Sequence, residues 1–169
     1  MYEYQFSDPI FTAWVQFRQA WSAASRLTEL ELAKVGLTPI KAHVLWVCRD
    51  YNAPLTPAEI SRLIFRESNS VVQLLARMEK EGLISRIPKR KGHPFTEVKI
   101  TEKGKELLRP ATKTVRAISE KVLSCLSDEE LKQWQVLLRK IQKKSLEEMR
   151  VELVPVPAAL ARRIEDPER

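Results

Sequence analysis

The stretch from Thr56 to Thr101, TPAEISRLIFRESNSVVQLLARMEKEGLISRIPKRKGHPFTEVKIT, leaves few folds open to this chain. Thr56 caps a helix, Pro57 suits its first turn, and Glu59 completes a capping box. That helix turns Ile60, Leu63 and Ile64 inward. A second helix is expected from Ser68 or Asn69. Its apolar residues Val71, Leu74, Leu75 and Met78 fall on one face at helical spacing. Ser70, Gln73, Arg77 and Lys80 fall on the other. Gly82 ends this helix as a C-terminal cap. Two helices joined by a short turn, the second with a polar and partly basic outer face, suit insertion into a DNA major groove.

Two strands follow, Leu83 to Ile87 and Thr96 to Ile100, in which Val98 and Ile100 alternate with charged neighbours. Between them runs PKRKGHP, held as a loop by Pro88, Gly92 and Pro94. Arg86, Lys89, Arg90 and Lys91 place four positive charges within six residues and no acid among them. A charge run is usually a solvated hairpin tip. Directly after a helix pair of this kind, it reads instead as the wing of a winged helix-turn-helix.

Charge supports that reading. Of a net charge of +7, five belong to the segment from Gly36 to Gly104, which holds twelve Lys and Arg against seven Asp and Glu. Such a surplus attracts polyanions and makes phosphate contacts salt-dependent. At 169 residues, 44% hydrophobic and 30% charged, the chain can bury a core. Cys48 and Cys125 are too few for a disulfide framework and sit among apolar helix positions, which suits a reducing cytoplasm. No signal peptide is apparent, and no apolar run approaches the ~18 residues of a membrane span. No nucleophile elbow, catalytic carboxylate pair, metal cluster or phosphate loop is present, so an enzyme is not expected and no cofactor is implied. His43 and His93 have no ligand cluster in sequence, so no metal site is expected; His43 reads as a satisfied helix residue.

On either side of the reader lie helices of another kind. From Pro9, the residues Ile10, Trp14, Phe17, Trp21 and Ala24 recur at steps of four and three, the spacing of a heptad seam. That stripe packs either on the chain's own core or on a second subunit. The second reading is the stronger, because the winged segment already has a core. Thr38-Pro39 opens a further helix whose Ile40, Val44, Leu45 and Val47 pack beneath the helix pair. The residues from Asp50 to Pro54 form a turn. Thr101 caps a long helix carrying Leu108, Ala111, Val115, Ile118, Val122 and Cys125, which Pro110 bends or delays. Ser127-Asp128-Glu129-Glu130 is another capping box, followed by Leu131, Trp134, Leu138 and Ile141 at three-and-four spacing. The last residues, with Pro155, Pro157 and Pro167, lack periodicity.

The expected fold is therefore mainly α with a small β-hairpin. It divides into an N-terminal dimerisation helix (1–37), a winged helix-turn-helix (38–101), C-terminal dimerisation helices (102–149) and an extended tail (150–169). Candidate dimer contacts are Ile10, Trp14, Phe17, Trp21, Val122, Leu131, Trp134, Leu138 and Ile141. Candidate DNA contacts are Ser68, Asn69, Ser70, Gln73, Arg77, Arg86, Lys89, Arg90 and Lys91. Gln73 and Arg77 can read purines in bidentate fashion, Arg90 and Lys91 suit the minor groove, and Lys89 a phosphate. Ser68 could equally be a plain N-cap, and Arg77 could pair with Glu81. The four tryptophans, Trp14, Trp21, Trp46 and Trp134, either line an effector pocket or pack in cores, with packing the stronger reading. A winged helix can also serve as a protein-interaction module, in which case the basic wing is incidental.

The pieces LTPIKAHVLWV, LTPAEISRLI, SVVQLLARMEKEGLISR, VKITEKGKELL and LSDEELKQWQVLLRKI occur in that order between about residues 10 and 146. In order and spacing they resemble the MarR family, the multiple-antibiotic-resistance type of transcription regulator. The resemblance implies a cytoplasmic homodimer that binds a pseudo-palindromic operator on double-stranded DNA and often releases it to a small-molecule effector or oxidant. A thiol switch at Cys48 or Cys125 is within the family's range, but thiols among apolar residues are inert. One departure concerns the wing. Where the family often has an Asp-Arg-Arg-type run, this chain has Gly92, His93 and Pro94, so the family's tie within the wing is not expected and the wing's angle is left open.

Overall fold

The computed structural model describes residues 6–51, 53–88 and 96–151. Within them the order is α1 (Pro9–Lys34), α2 (Pro39–Asp50), α3 (Pro57–Leu63), α4 (Ser68–Lys80), β1 (Ile84–Ile87), β2 (Glu97–Ile100), α5 (Glu102–Leu123) and α6 (Asp128–Glu148). The expected mainly helical architecture with one small hairpin is present. Local chemistry accounts for most boundaries. Asp8 accepts the backbone N–H groups of Ile10 and Phe11 at the start of α1. Thr38, Thr56, Thr101 and Ser127 cap α2, α3, α5 and α6, with reciprocal capping boxes through Glu59 and Glu130. Proline follows the cap in α1, α2 and α3.

Most of the core lies beneath the helix pair. Ala42, Val44, Leu45 and Val47 of α2 meet Ile60 and Ile64, then Val71, Leu74, Leu75 and Met78 of α4. Leu83, Ile84 and Val98 close it from the hairpin, and Leu108 and Ala111 from α5. From α1 only Leu32 is buried, and from α6 only Leu146. Ile40 and Leu63, expected inside, are half-buried at the core's edge.

The hairpin is antiparallel, with Ile84 opposite Ile100 and Arg86 opposite Val98. A third segment docks on it, since the Val98 N–H donates to the Leu55 carbonyl at 2.8 Å. Two glycines position the hairpin. Gly82, at φ +74°, takes the left-handed turn out of α4, and the Leu83 N–H returns to the Met78 carbonyl at 2.9 Å. Gly104 lets α5 abut that turn: a Cβ there would lie 2.2 Å from the Leu83 carbonyl oxygen.

Two expectations, at Pro110 and at Cys125, are corrected. α5 runs unbroken through Pro110, which sits on its exposed side and needs no later start. α5 ends at Leu123, so Cys125 lies past the helix and is exposed, not on an apolar helix face. Cys48 is half-buried against the core, and burial pushes its thiol up to about 12. His43 stands on the exposed side of α2. Trp46 packs on the core, with its indole N–H donating to Thr112 Oγ1 at 2.8 Å. A shallow cavity of about 310 Å³ lies between α2 and β2, lined by Cys48, Tyr51, Leu55, Glu97 and Lys99 among others, and no tryptophan lines it. Among the described residues no His, Cys, Asp and Glu cluster could hold a metal, and no helix is long and apolar enough to cross a membrane. The tail from residue 152 lies outside the described residues.

Candidate nucleic-acid interface

The second helix of the pair, α4, is split cleanly by burial. Val71, Leu74, Leu75 and Met78 face the core. Ser68, Asn69, Ser70, Gln73 and Arg77 are all exposed, as the helical spacing predicts. Exposure extends to Val72, Ala76 and Lys80, so the outer face carries a short apolar strip between polar neighbours.

The start of α4 differs from expectation. Its N-cap is Glu67, in extended conformation, and no side chain caps the helix. Ser68 is the first helical residue, not the cap, and its Oγ lies 3.4 Å from Ser61 Oγ. The first-turn N–H groups of α4 therefore have no side-chain acceptor, and no acid occupies the first turn. Such a helix start favours an anionic oxygen.

The turn before it is tightly built. The Arg66 N–H donates to the Ser61 carbonyl at 3.0 Å, and Ser61 Oγ donates to the Arg66 carbonyl. Phe65 is held there at φ +52° with its ring 62% exposed. For a residue with a Cβ, that conformation costs roughly 1–2 kcal/mol. Arg62 and Arg66 flank it and are exposed. Neither arginine belongs to a charge run or a helical stripe, so sequence patterning does not single them out. Their closeness to the start of the second helix is the one available clue.

At the other end, α4 is fastened to its surroundings. Glu79 accepts the Arg86 backbone N–H at 3.0 Å on one oxygen, and the Arg86 guanidinium at 2.7 and 2.6 Å on the other. These bonds hold the Glu79 carboxyl below the usual range. They also occupy Arg86, a candidate DNA contact by sequence. In this structure its charge fixes β1 to α4 instead. Glu81 is taken by Lys41 of α2 at 2.6 Å, so the alternative pairing of Arg77 with Glu81 is not formed. Arg77 is left exposed. Lys103 Nζ donates to the Glu81 carbonyl at 2.8 Å, and Thr101 Oγ1 to the Gly82 carbonyl at 2.6 Å. The hairpin base thus has a fixed attitude to α4. The tip, with Lys89, Arg90 and Lys91, lies outside the described residues.

The flanking helices present a contrasting surface. Along α1, Ile10 is 81% exposed and Trp21 69%, with Trp14 and Phe17 also exposed and their ring centres 6.0 Å apart. Val122, Trp134 and Ile141 are exposed on α5 and α6, as are Val136 and Leu137. Leu131 and Leu138 are half-buried.

No protein-family model matches this sequence, and no curated protein is detectably similar to it. Solved structures are similar over most of the chain. The organohalide-sensing transcriptional regulator RdhR, in ligand-free form, is 23% identical, with a TM-score of 0.75 over 92% of this chain and 98% of its own. MepR of S. aureus, in complex with DNA, is 22% identical, with a TM-score of 0.72 over 81% of this chain and 99% of its own. A mutant of MarR from E. coli, complexed with operator DNA, is 19% identical, with a TM-score of 0.71 over 82% and 99%. The chain has the winged-helix fold of the MarR-family transcriptional regulators.

Proposed function

We propose that this chain is a homodimeric, sequence-specific DNA-binding regulator of transcription. The observation that carries the reading is the outer face of α4, polar and basic, uncapped at its start, and fastened to the base of a hairpin whose connecting sequence is basic. Two proteins of the same fold are DNA complexes, which supports it further. In this reading α4 enters the major groove. Its N-terminal N–H groups and Ser68, Asn69 and Ser70 meet phosphate or base edges, while Gln73 and Arg77 read purines. Arg62 and Arg66 add phosphate contacts. Arg90 and Lys91 of the wing enter the minor groove, Lys89 meets a phosphate, and Arg86 positions the wing.

Residues 38–101 act as the reading head, and residues 1–37 and 102–149 as the dimer arms. Their exposed Ile10, Trp14, Phe17, Trp21, Val122, Trp134 and Ile141 cover one another across a two-fold axis, with Leu131 and Leu138 behind them. The dimer then meets two half-sites whose centres lie about 10 base pairs apart. A small molecule modulates binding, as befits a fold shared with an organohalide sensor. The setting is cytoplasmic.

Selection of bound duplexes from a random pool tests the reading. A two-fold repeat is the expected result, with affinity falling steeply as salt rises. Recovery of no preferred sequence, with little salt dependence, would replace it by a protein-interaction module.

A further inference from the structure

Val72 is 47% exposed in the middle of α4, on the flank between the buried stripe and the outer polar face. Its position does little for folding. A β-branched residue is a poorer helix former than Gln73 or Arg77 nearby, and about half of Val72 stays in contact with water. Ala76, one turn on, is exposed as well, so the two form a short apolar strip. Asn69, Gln73 and Arg77 border that strip and are exposed with it. Single exposed apolar residues are ordinary on protein surfaces. This one lies within the face that the proposed function sends into the major groove.

Among the four unmodified base pairs, the major groove presents one apolar group, the 5-methyl of thymine. Its donors and acceptors are groups that a valine would strip of water and leave unpaired, and the bare C–H edge of cytosine offers less apolar surface than a methyl. Gln73, the next residue, has the amide that pairs with the N6 and N7 edge of adenine. A valine and a glutamine at successive positions of the exposed face, about 100° apart around the helix, therefore suit different base pairs of an A·T-rich site. The small Ala76 leaves room for the helix to approach.

We infer that Val72 is a specificity-determining residue that packs against a thymine 5-methyl group in each half-site. The inference rests on the DNA-binding reading and assigns part of its sequence preference.

The test uses the full-length chain and the duplex recovered by selection. Each thymine is replaced in turn by deoxyuridine, which removes the methyl group and keeps the base pair. At one thymine of a half-site, affinity falls about fourfold, the value of one buried methyl. Val72→Ala weakens binding to the unsubstituted duplex by about tenfold and does not lower the thermal unfolding midpoint. For Val72→Ala, the same deoxyuridine duplex binds no worse than the thymine duplex, because the methyl has no partner there. Neutral deoxyuridine at every position overturns the inference, as do losses from the two changes that simply multiply. If selection recovers no preferred sequence, the DNA-binding reading fails first and this one falls with it. Those results are distinct from a preferred sequence indifferent to its methyl groups.

Discussion

The reading head and the arms of this molecule use their apolar residues in opposite ways. In the head, α2, α3, α4 and the hairpin turn nearly every large apolar side chain into one shared core. In the arms, the first half of α1 and much of α6 hold tryptophan, phenylalanine and isoleucine in the open, and each helix buries a single leucine. Hydrophobic burial is the main favourable term in folding. The head has a closed core, to which α1 and α5 lend Leu32, Leu108 and Ala111, and the outer stretches of the arms have none. A heptad-spaced aromatic stripe that the chain itself leaves bare is the surface that the proposed dimer would cover.

That contrast can be broken most forcefully at the stripe. Trp14→Asp with Trp21→Asp places charges on the seam. Sedimentation is expected to show a single subunit. Operator affinity should fall by about a hundredfold or more, because the second head loses its tether. A dimer that persists with full affinity would remove the arms from the mechanism. Leu75→Ala acts on the other region. Leu75 is fully buried, and its truncation should cost about 3 kcal/mol in urea unfolding. The dimer interface would remain intact.

A smaller effect is expected at the wing tip. Arg90→Ala with Lys91→Ala should lower operator affinity and flatten the salt slope by about 0.9 for each phosphate that is no longer neutralised. Binding unchanged across a salt titration would take the wing out of the interface. The smallest effect belongs to the clasp. Glu79→Gln keeps the shape of the side chain and removes its charge, and should cost about 1 kcal/mol or less, since the pair is partly exposed. Hydrogen exchange at the Arg86 amide, which donates to Glu79, should quicken. Its pH dependence has a definite sign. Arg86 lowers the Glu79 carboxyl in the folded protein. The clasp is therefore at full strength above the usual glutamate range and is lost as pH falls through the lowered value. Exchange that ignores both mutation and acid would show that the clasp fixes nothing.

Features carried by neighbours in sequence are legible from the letters alone. The caps at Thr38, Thr56, Thr101 and Ser127 stand where the sequence predicts them, and both strands begin one residue later than their patterning suggests. At Thr56 and Ser127 a glutamate three residues on completes a capping box, Thr38 is followed by a first-turn proline, and helical spacing sorts α4 into two faces without further information. Pairings between distant residues are not legible. Nothing in the sequence says that Glu81 prefers Lys41, forty residues away, to Arg77 on its own helix. The Glu79–Arg86 pair spans a helix end, a glycine turn and a strand, and only the turn's geometry brings them together. Arg86 groups with the wing's other cations by sequence because charge runs look uniform there. Cys125 falls on an apolar face by sequence because its spacing continues a stripe that the helix itself stops short of. Of the residues proposed for groove contact, Ser68, Asn69, Ser70, Gln73 and Arg77 are exposed as the helical spacing predicts.

The close approach at Gly104 has a mechanical consequence. With the Leu83 carbonyl against its first turn, α5 has no slack where it meets the hairpin base. The long helix and the reader behave as handle and blade forged in one piece. In a symmetric pair, any agent that tilts the handles by a few degrees must swing both blades, since no joint lies between to absorb the turn. Control over DNA would then require no change in the blade itself, only in the gap between the two.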